Sequence, residues 1–150
     1  KADRLAADHG VAVTTVVADV LTHEVEAQAW DLVLLSYLQL PTVERLDVVR
    51  RAAGGVAPGG TLLVVAHDRT NLERGHGGPQ DPDVLYDADE TVAAIAAAEV
   101  DDLVPVVATV VGRLVRPSSE GDDDGGHVAL DTLVVARRAP SSGSAPPPRR

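Results

Sequence analysis

The chain has 150 residues and a hydrophobic fraction of 45%, which suits a single globular domain. Its net charge of −10 argues against a nucleic-acid partner, because phosphate backbones repel acidic surfaces. No run approaches the roughly 18 apolar residues that a membrane span needs. No secretory signal opens the chain, and cysteine is absent. We therefore expect a cytoplasmic protein without nucleic-acid or membrane partners.

The N-terminal part predicts a helix followed by a strand. Residues 1–9 place Leu and Ala among charges, and Gly10 closes this helix as glycine does after a C-terminus. Val11–Val17 is a β-branched run, which favours a strand ending at Asp19. Because the first residue is Lys1 and already lies in a helical pattern, we expect the chain to be a piece of a longer protein.

The central part predicts a buried strand and an amphipathic helix. Asp31–Leu38 is apolar on consecutive residues, a pattern typical of a strand covered on both faces. Pro41 and Thr42 begin a helix. The apolar face of this helix is predicted to consist of Val43, Leu46, Val49 and Ala53.

The second half predicts one more buried strand, a helix and a closing hairpin. A Pro58-Gly59-Gly60 turn leads into a strand over 61–66, and a polar loop extends from residue 67 to residue 86. Asp87 and Glu90 form a capping-box-like start to a helix that ends near Ala98. Two strands remain, over 103–115 and 128–137, joined by a polar, glycine-rich linker over 118–126.

These elements predict an α/β fold, with a mostly parallel sheet, flanking helices and a C-terminal antiparallel hairpin. We expect this domain to occupy residues 1–138. Residues 139–150, rich in Pro, Ser and Arg, are predicted to be a disordered tail.

Two segments resemble class I, Rossmann-like S-adenosylmethionine-dependent methyltransferases. They are the aromatic-Asp strand entry at Trp30-Asp31, with the four apolar residues that follow, and the Ala57-Pro58-Gly59-Gly60 turn before the next strand. The ending Val17-Ala18-Asp19 is similar to that of the family's third strand, and the two closing strands resemble its terminal hairpin. The resemblance implies S-adenosylmethionine as cofactor. The family's first strands and glycine-rich loop are absent, and we expect them before Lys1.

The resemblance also implies where the cofactor lies. Asp19 would accept a hydrogen bond from the adenine amino group, with the Val20 backbone beside it, while Ser36 and Tyr37 would lie next to the sulfonium. If so, Asp19, Ser36 and His67 share one edge of the sheet, at the carboxyl ends of three parallel strands. The alternatives are that Asp19 caps a local turn and that Tyr37 is a core aromatic residue.

Candidate catalytic residues are His67 and Asp68, which end the 61–66 strand facing the expected crevice. Methyl transfer needs a base only when the acceptor has a proton to lose, and His67 is the candidate. A structural histidine is the alternative. The 75–79 loop could form a substrate lid or be an ordinary surface loop. We expect no bound metal, since the histidines lack paired ligand spacing and Asp122–Asp124 departs from a calcium loop.

Together these features predict methyl transfer from S-adenosylmethionine to a small-molecule acceptor by the full-length protein, the 150-residue chain alone being inactive. Two alternatives from other classes stay open. One is a non-catalytic Rossmann-like remnant or protein-interaction module. The other is a different Rossmann-type enzyme, such as a dehydrogenase. The acceptor and the oligomeric state are beyond the sequence.

Overall fold

The computed structural model describes residues 2–115 and 126–141. The helices are α1 (Ala2–Asp8), α2 (Thr42–Gly54), α3 (Asn71–Arg74) and α4 (Ala88–Ala96), with a 3-10 turn at Pro82–Val84. The strands are β1 (Trp30–Ser36), β2 (Val56–His67), β3 (Leu103–Val115) and β4 (His127–Arg138). None of the helices in these two ranges is long and apolar enough to cross a membrane. Most of the predicted linker and the tail from residue 142 onward lie outside the described residues.

The four strands form one sheet in the order β1-β2-β4-β3. β1 and β2 are parallel, whereas β4 is antiparallel to both of its neighbours. Three of the four strands therefore run in the same direction, and β4 forms a C-terminal hairpin with β3. This arrangement confirms the predicted α/β class, with a mostly parallel sheet and an antiparallel hairpin.

Helices α2 and α4 cover one face of the sheet. In the second half of β2 every second side chain is fully buried, namely Leu62, Val64 and Ala66, as the two-residue period of a strand requires. The core that these elements share consists of Val49, Ala52 and Ala53 of α2, Ala94 and Ile95 of α4, Leu62, Val64 and Ala66 of β2, and Val134 and Ala136 of β4.

The opposite face of the sheet is largely open in the described part of the chain. Leu32 and Leu34 of β1 point to this face and are about half exposed. The expectation that this strand is covered on both faces is therefore wrong for one of them. The consecutive apolar run of β1 supplies two apolar faces, but only one of them has helices packed on it.

The strand predicted over Val11–Val17 does not form. This segment has no ladder partners among the described residues, and its valines are exposed. The Val11 N–H donates instead to the Ala6 carbonyl, just after helix α1. A β-branched run becomes a strand only where a neighbouring strand accepts its hydrogen bonds, and no described strand lies beside this one.

The Pro58-Gly59-Gly60 turn lies within β2 as an irregularity of the ladder. The pairing with β1 shifts register between Trp30, opposite Val56, and Leu32, opposite Thr61. Gly59 adopts φ +82°, a conformation that favours glycine. The positive φ expected at a glycine is found, but the predicted turn before the strand is instead a register shift inside β2.

The connection between β2 and α4 is more ordered than the predicted loop, because it contains α3 and the 3-10 turn. Asp87 caps α4 as predicted, accepting from the Asp89 and Glu90 N–H groups at 2.9 and 3.1 Å. The predicted apolar face of α2 is wrong at Val43, which is exposed. Arg45 is buried instead, because the Asp83 carbonyl accepts from its guanidinium at 2.8 Å.

Candidate active site

The carboxyl ends of β1 and β2 lie side by side, as expected. Ser36 pairs with Val65, two residues before His67 ends β2. The Tyr37 N–H donates to the Val65 carbonyl at 2.8 Å, and φ +50° at Tyr37 turns the chain out of β1. On the other side of β2, Asp131 of β4 pairs with His67. One edge of the sheet thus collects Tyr37, His67 and Asp131.

The Asp131 carboxylate is the centre of this cluster and is only 1% exposed. Its Oδ2 accepts from the Tyr37 hydroxyl at 2.7 Å and from Arg113 Nε at 2.8 Å. Its Oδ1 lies 3.2 Å from Nδ1 of His67, at ion-pair distance but outside hydrogen-bond geometry. Both of these atoms are buried and have no other partner among the described residues. The position of the carboxylate favours a proton on Nδ1 of His67.

The charges in the cluster follow from its hydrogen bonds. Burial raises the pKa of Tyr37, and the hydrogen bond to Asp131 raises this pKa further. The hydrogen bond to Asp131 also raises the pKa of Arg113. At neutral pH Tyr37 is therefore a hydrogen-bond donor and Arg113 a cation, and together they compensate the buried Asp131 charge.

The imidazole of His67 is held between Tyr37 and a glycine loop. The two aromatic rings are 5.1 Å apart at 56°. On the His67 ring lies Gly78, where an added Cβ would be 3.1 Å from three ring atoms. Asn71 fixes this loop by donating to the Gly77 carbonyl at 2.7 Å and accepting from the Leu130 N–H at 2.8 Å. Part of the 75–79 loop, predicted as a candidate lid, therefore covers one side of His67.

The outer nitrogen of His67 faces accessible space. The side chain is 15% exposed, and Nε2 is neither buried nor hydrogen-bonded within the described ranges. With Nδ1 directed at Asp131, Nε2 is the nitrogen that can accept a proton from a bound molecule.

Asp68, predicted with His67 as a candidate catalytic residue, points away from this cluster. Its Oδ1 accepts from the Thr70 N–H at 2.8 Å, and its Oδ2 accepts from the Thr132 hydroxyl at 2.6 Å. Successive residues of an extended chain point to opposite sides, so His67 and Asp68 do not face one crevice. The buried Asp68 carboxylate joins the start of the 68–86 connection to β4.

Asp19 and Val20 are not brought to this edge. Asp19 Oδ1 accepts from the Leu21 N–H at 2.9 Å, which is the local turn cap weighed as the alternative. The Val20 carbonyl accepts from Arg51 at 2.9 Å, near the C-terminal end of α2, whereas Ser36 precedes that helix. The expectation that Asp19 shares an edge with Ser36 and His67 is therefore wrong. Since residues 11–17 form no strand, no ladder carries Asp19 there.

Two members of the cluster, Asp131 and Arg113, were not predicted from the sequence. Each is a charged residue within a mostly apolar stretch of a strand. A charge at such a position is rarely buried without a partner, and this signal could have indicated an ion pair between β3 and β4. The two residues do form one, at 2.8 Å.

Several solved structures are similar in fold. TehB from Haemophilus influenzae is 11% identical with a TM-score of 0.65, over 91% of this chain and 44% of that one. An O-methyltransferase family protein from Burkholderia thailandensis is 19% identical with a TM-score of 0.57, over 94% of this chain and 41% of that one. The S-adenosylmethionine-dependent methyltransferase SibL, in its apo form, is 19% identical with a TM-score of 0.53, over 92% and 40%.

The chain therefore spans less than half the length of each of these three proteins. No family model matches the sequence, and no curated protein matches it. The strand order of the described sheet and the antiparallel orientation of β4 agree with the similarity to these solved structures. The chain has the fold of the class I, Rossmann-like methyltransferases.

Proposed function

We propose that the whole protein transfers a methyl group from S-adenosylmethionine to a hydroxyl of a small-molecule acceptor, with His67 as the base. The observation that carries this proposal is the His67–Asp131 pair at the carboxyl edge of the sheet. Nδ1 lies 3.2 Å from a buried carboxylate, and Nε2 faces accessible space. Ligands of open α/β sheets bind at this edge.

The end of β1 fits one wall of a cofactor site. The Ser36 side chain is exposed, and its hydroxyl has no hydrogen-bond partner in the part of the chain that the structure describes. The exposed Leu34 lies on the same face of β1, and Tyr37 follows at the strand end. Ser36 and Tyr37 would hold the cofactor here. Asp19, which accepts from the Leu21 N–H, and Val20, which accepts from Arg51, take no part in the proposal.

The bound cofactor supplies a methyl carbon that its sulfonium already activates, so the protein mainly has to position the acceptor. His67 Nε2 takes the proton that the acceptor hydroxyl loses. The resulting imidazolium carries its positive charge next to Asp131 Oδ1, and this contact stabilises it. Gly78 and Tyr37 pack against the His67 imidazole, and this packing restricts the orientation of Nε2.

A non-catalytic role is the second candidate. It is favoured by the positions of Asp19 and Val20, which leave the adenine side of the site without the groups that the family resemblance implied. In that case the cluster around Asp131 would stabilise the sheet edge and would catalyse no reaction.

Initial rates of S-adenosylhomocysteine formation test the proposal, measured on the whole protein with a panel of hydroxylated aromatic acceptors. We expect His67→Ala to lower kcat by about 10²- to 10⁴-fold, because a base contributes that much, and to change S-adenosylmethionine affinity little. His9→Ala is the matched control, since His9 is an exposed histidine just after α1. Equal rates for His67→Ala and wild type would overturn the role of His67. Turnover of no acceptor, with S-adenosylmethionine unbound, would support the non-catalytic role.

A further inference from the structure

Arg113 uses only part of its hydrogen-bonding capacity within the cluster. Nε donates to Asp131 Oδ2 at 2.8 Å and lies 3.0 Å from the Tyr37 hydroxyl oxygen. The terminal nitrogens Nη1 and Nη2 donate to no atom of residues 2–115 or 126–141. The side chain is 43% exposed, although it is anchored to a carboxylate that is 1% exposed.

The position of Arg113 in the sheet places its guanidinium at the same edge as His67. β3 runs in the same direction as β1 and β2, so its last residues lie at the same edge as Ser36 and His67. Asp131 links the two side chains, with Oδ2 bound to Arg113 and Oδ1 beside His67. One buried carboxylate thus holds two functional groups. They are a proton acceptor, Nε2 of His67, and a pair of donors, Nη1 and Nη2 of Arg113.

The anchoring also organises the guanidinium for a ligand. Its Nε side is fixed by Asp131, and its carbon lies 5.5 Å from the centre of the Tyr37 ring. A guanidinium held in this way loses less side-chain freedom when its remaining N–H groups bind a planar anion. A carboxylate matches two such parallel donors, whereas a neutral hydroxyl can use only one of them.

We infer that Arg113 forms an acceptor subsite that recognises a carboxylate, so that the preferred acceptor is a small hydroxycarboxylic acid with its hydroxyl directed at His67. The inference rests on the proposed function, and it adds the substrate class. Because the chain has a net charge of −10, it does not attract anions in general. Binding of a carboxylate therefore depends on the local donors of Arg113, which makes the subsite selective.

The test compares two probes of similar size, salicylate and catechol, which differ in whether a carboxylate or a hydroxyl stands beside the reacting hydroxyl. Calorimetric titration of the whole protein gives both dissociation constants directly, without turnover. We expect salicylate to bind the wild type about 10- to 100-fold more tightly than catechol, since hydrogen bonds to charged groups contribute this much. Two variants report on Arg113. Arg113→Gln removes the charge, and Arg113→Lys keeps a charge beside Asp131 but lacks the paired outward donors.

We expect both variants to lose most of the preference for salicylate. Arg137→Lys is the control, because Arg137 is exposed on β4 opposite Thr61, at the far end of the sheet from Asp131. Its affinity ratio should match that of the wild type. An unchanged ratio in both Arg113 variants would overturn the inference, and methyl transfer to neutral phenols would then leave the proposed function standing. Salicylate binding that depends on Arg113, in a protein that neither binds S-adenosylmethionine nor transfers methyl groups, would retain the anion subsite and contradict the proposed function.

Discussion

Oδ1 of Asp131 lies 3.2 Å from Nδ1 of His67, and the two residues are paired across β2 and β4. Both atoms are buried, and neither has a hydrogen-bond partner among the described residues. A carboxylate in this position decides which ring nitrogen carries the proton, and it stabilises the imidazolium that forms when His67 accepts a second one.

Asp131→Asn tests this relationship. The amide keeps the shape of the side chain but removes the charge, so we expect His67 to lose its preference for a proton on Nδ1. ¹⁵N NMR of the His67 imidazole measures the tautomer, and initial rates should fall by at least about tenfold. Thr132→Val is the control from the same strand. It leaves Oδ2 of Asp68 without its donor and lowers stability by about 1–3 kcal/mol, and the His67 nitrogens should not respond. Identical His67 spectra in wild type and Asp131→Asn would contradict the orienting role of Asp131.

Gly78 and Gly77 form a matched pair of positions for testing how the loop holds His67. Both have positive φ, +78° and +71°, so alanine at either position is strained by about 1 kcal/mol. Only at Gly78 would the new Cβ also meet the His67 ring, at 3.1 Å, whereas Gly77 has open space around it. We expect Gly78→Ala to shift the His67 imidazole resonances and lower kcat, and Gly77→Ala to show the loss of stability alone. Equal shifts of the His67 resonances in both variants would show that the loop does not hold the ring.

The two tyrosines of the chain allow a direct test of burial by pH titration. Burial raises the pKa of Tyr86 from 10.0 to about 12. In Tyr37→Phe the tyrosinate absorbance therefore reports on Tyr86 alone, and its midpoint should lie near pH 12. A midpoint near 10 would mean that the Tyr86 hydroxyl, which donates to the Leu38 carbonyl at 2.7 Å, is open to solvent.

The same shift predicts how stability depends on pH. The folded state binds the Tyr86 proton more tightly than the unfolded state does, so this contribution is complete below pH 10. It is lost as the pH rises toward 12, by about 2.7 kcal/mol for a shift of about two units. Urea unfolding at several pH values from about 9 to about 12 measures how the free energy of unfolding changes with pH, because this range covers both the ordinary and the raised pKa of Tyr86. The measurement is made in the Tyr37→Phe background, because the raised pKa of Tyr37 would otherwise contribute to the slope. In this background Tyr86→Phe should flatten the slope, and a slope that persists in the double variant would assign the effect to another group.

Arg45 is a buried cation that joins α2 to the chain before α4. Its guanidinium donates to the Asp83 carbonyl at 2.8 Å, pairs with Glu90 at 3.4 Å and lies 4.7 Å above the Tyr86 ring. We expect Arg45→Leu to lower the free energy of unfolding by about 2–4 kcal/mol, because these acceptors lose a charged donor. Arg50→Leu, which removes an exposed ion pair on the same helix, should change the urea midpoint little. Similar losses in both variants would contradict a structural role for the buried cation.

Local patterns predicted the elements that local chemistry specifies. Asp87 caps α4 through two N–H groups that follow it directly in the sequence. The apolar run of β1, in contrast, forms a strand because β2 lies beside it. Val11–Val17 has the same β-branched composition, yet it stays outside the sheet since it lacks a partner. Strand formation depends on neighbours that the run itself does not encode.

The candidate site was only partly predictable for the same reason. His67 could be placed at a strand end from its own neighbours along the chain. Asp131 reaches it only through the pairing of β2 with β4, and Tyr37 is 94 residues away from Asp131 in the sequence. Asp68 directly follows His67 in the sequence, and two successive side chains of an extended chain lie on opposite sides.

The central claim is that the whole protein binds S-adenosylmethionine, and thermal unfolding with candidate cofactors tests this claim most directly. A ligand present at 100 times its dissociation constant stabilises the folded state by about 2.7 kcal/mol and raises Tm accordingly. We predict that S-adenosylmethionine raises Tm by several degrees and that NAD⁺ and NADP⁺ do not. A rise in Tm with a nicotinamide cofactor, and none with S-adenosylmethionine, would contradict the proposed methyl transfer and indicate a dehydrogenase.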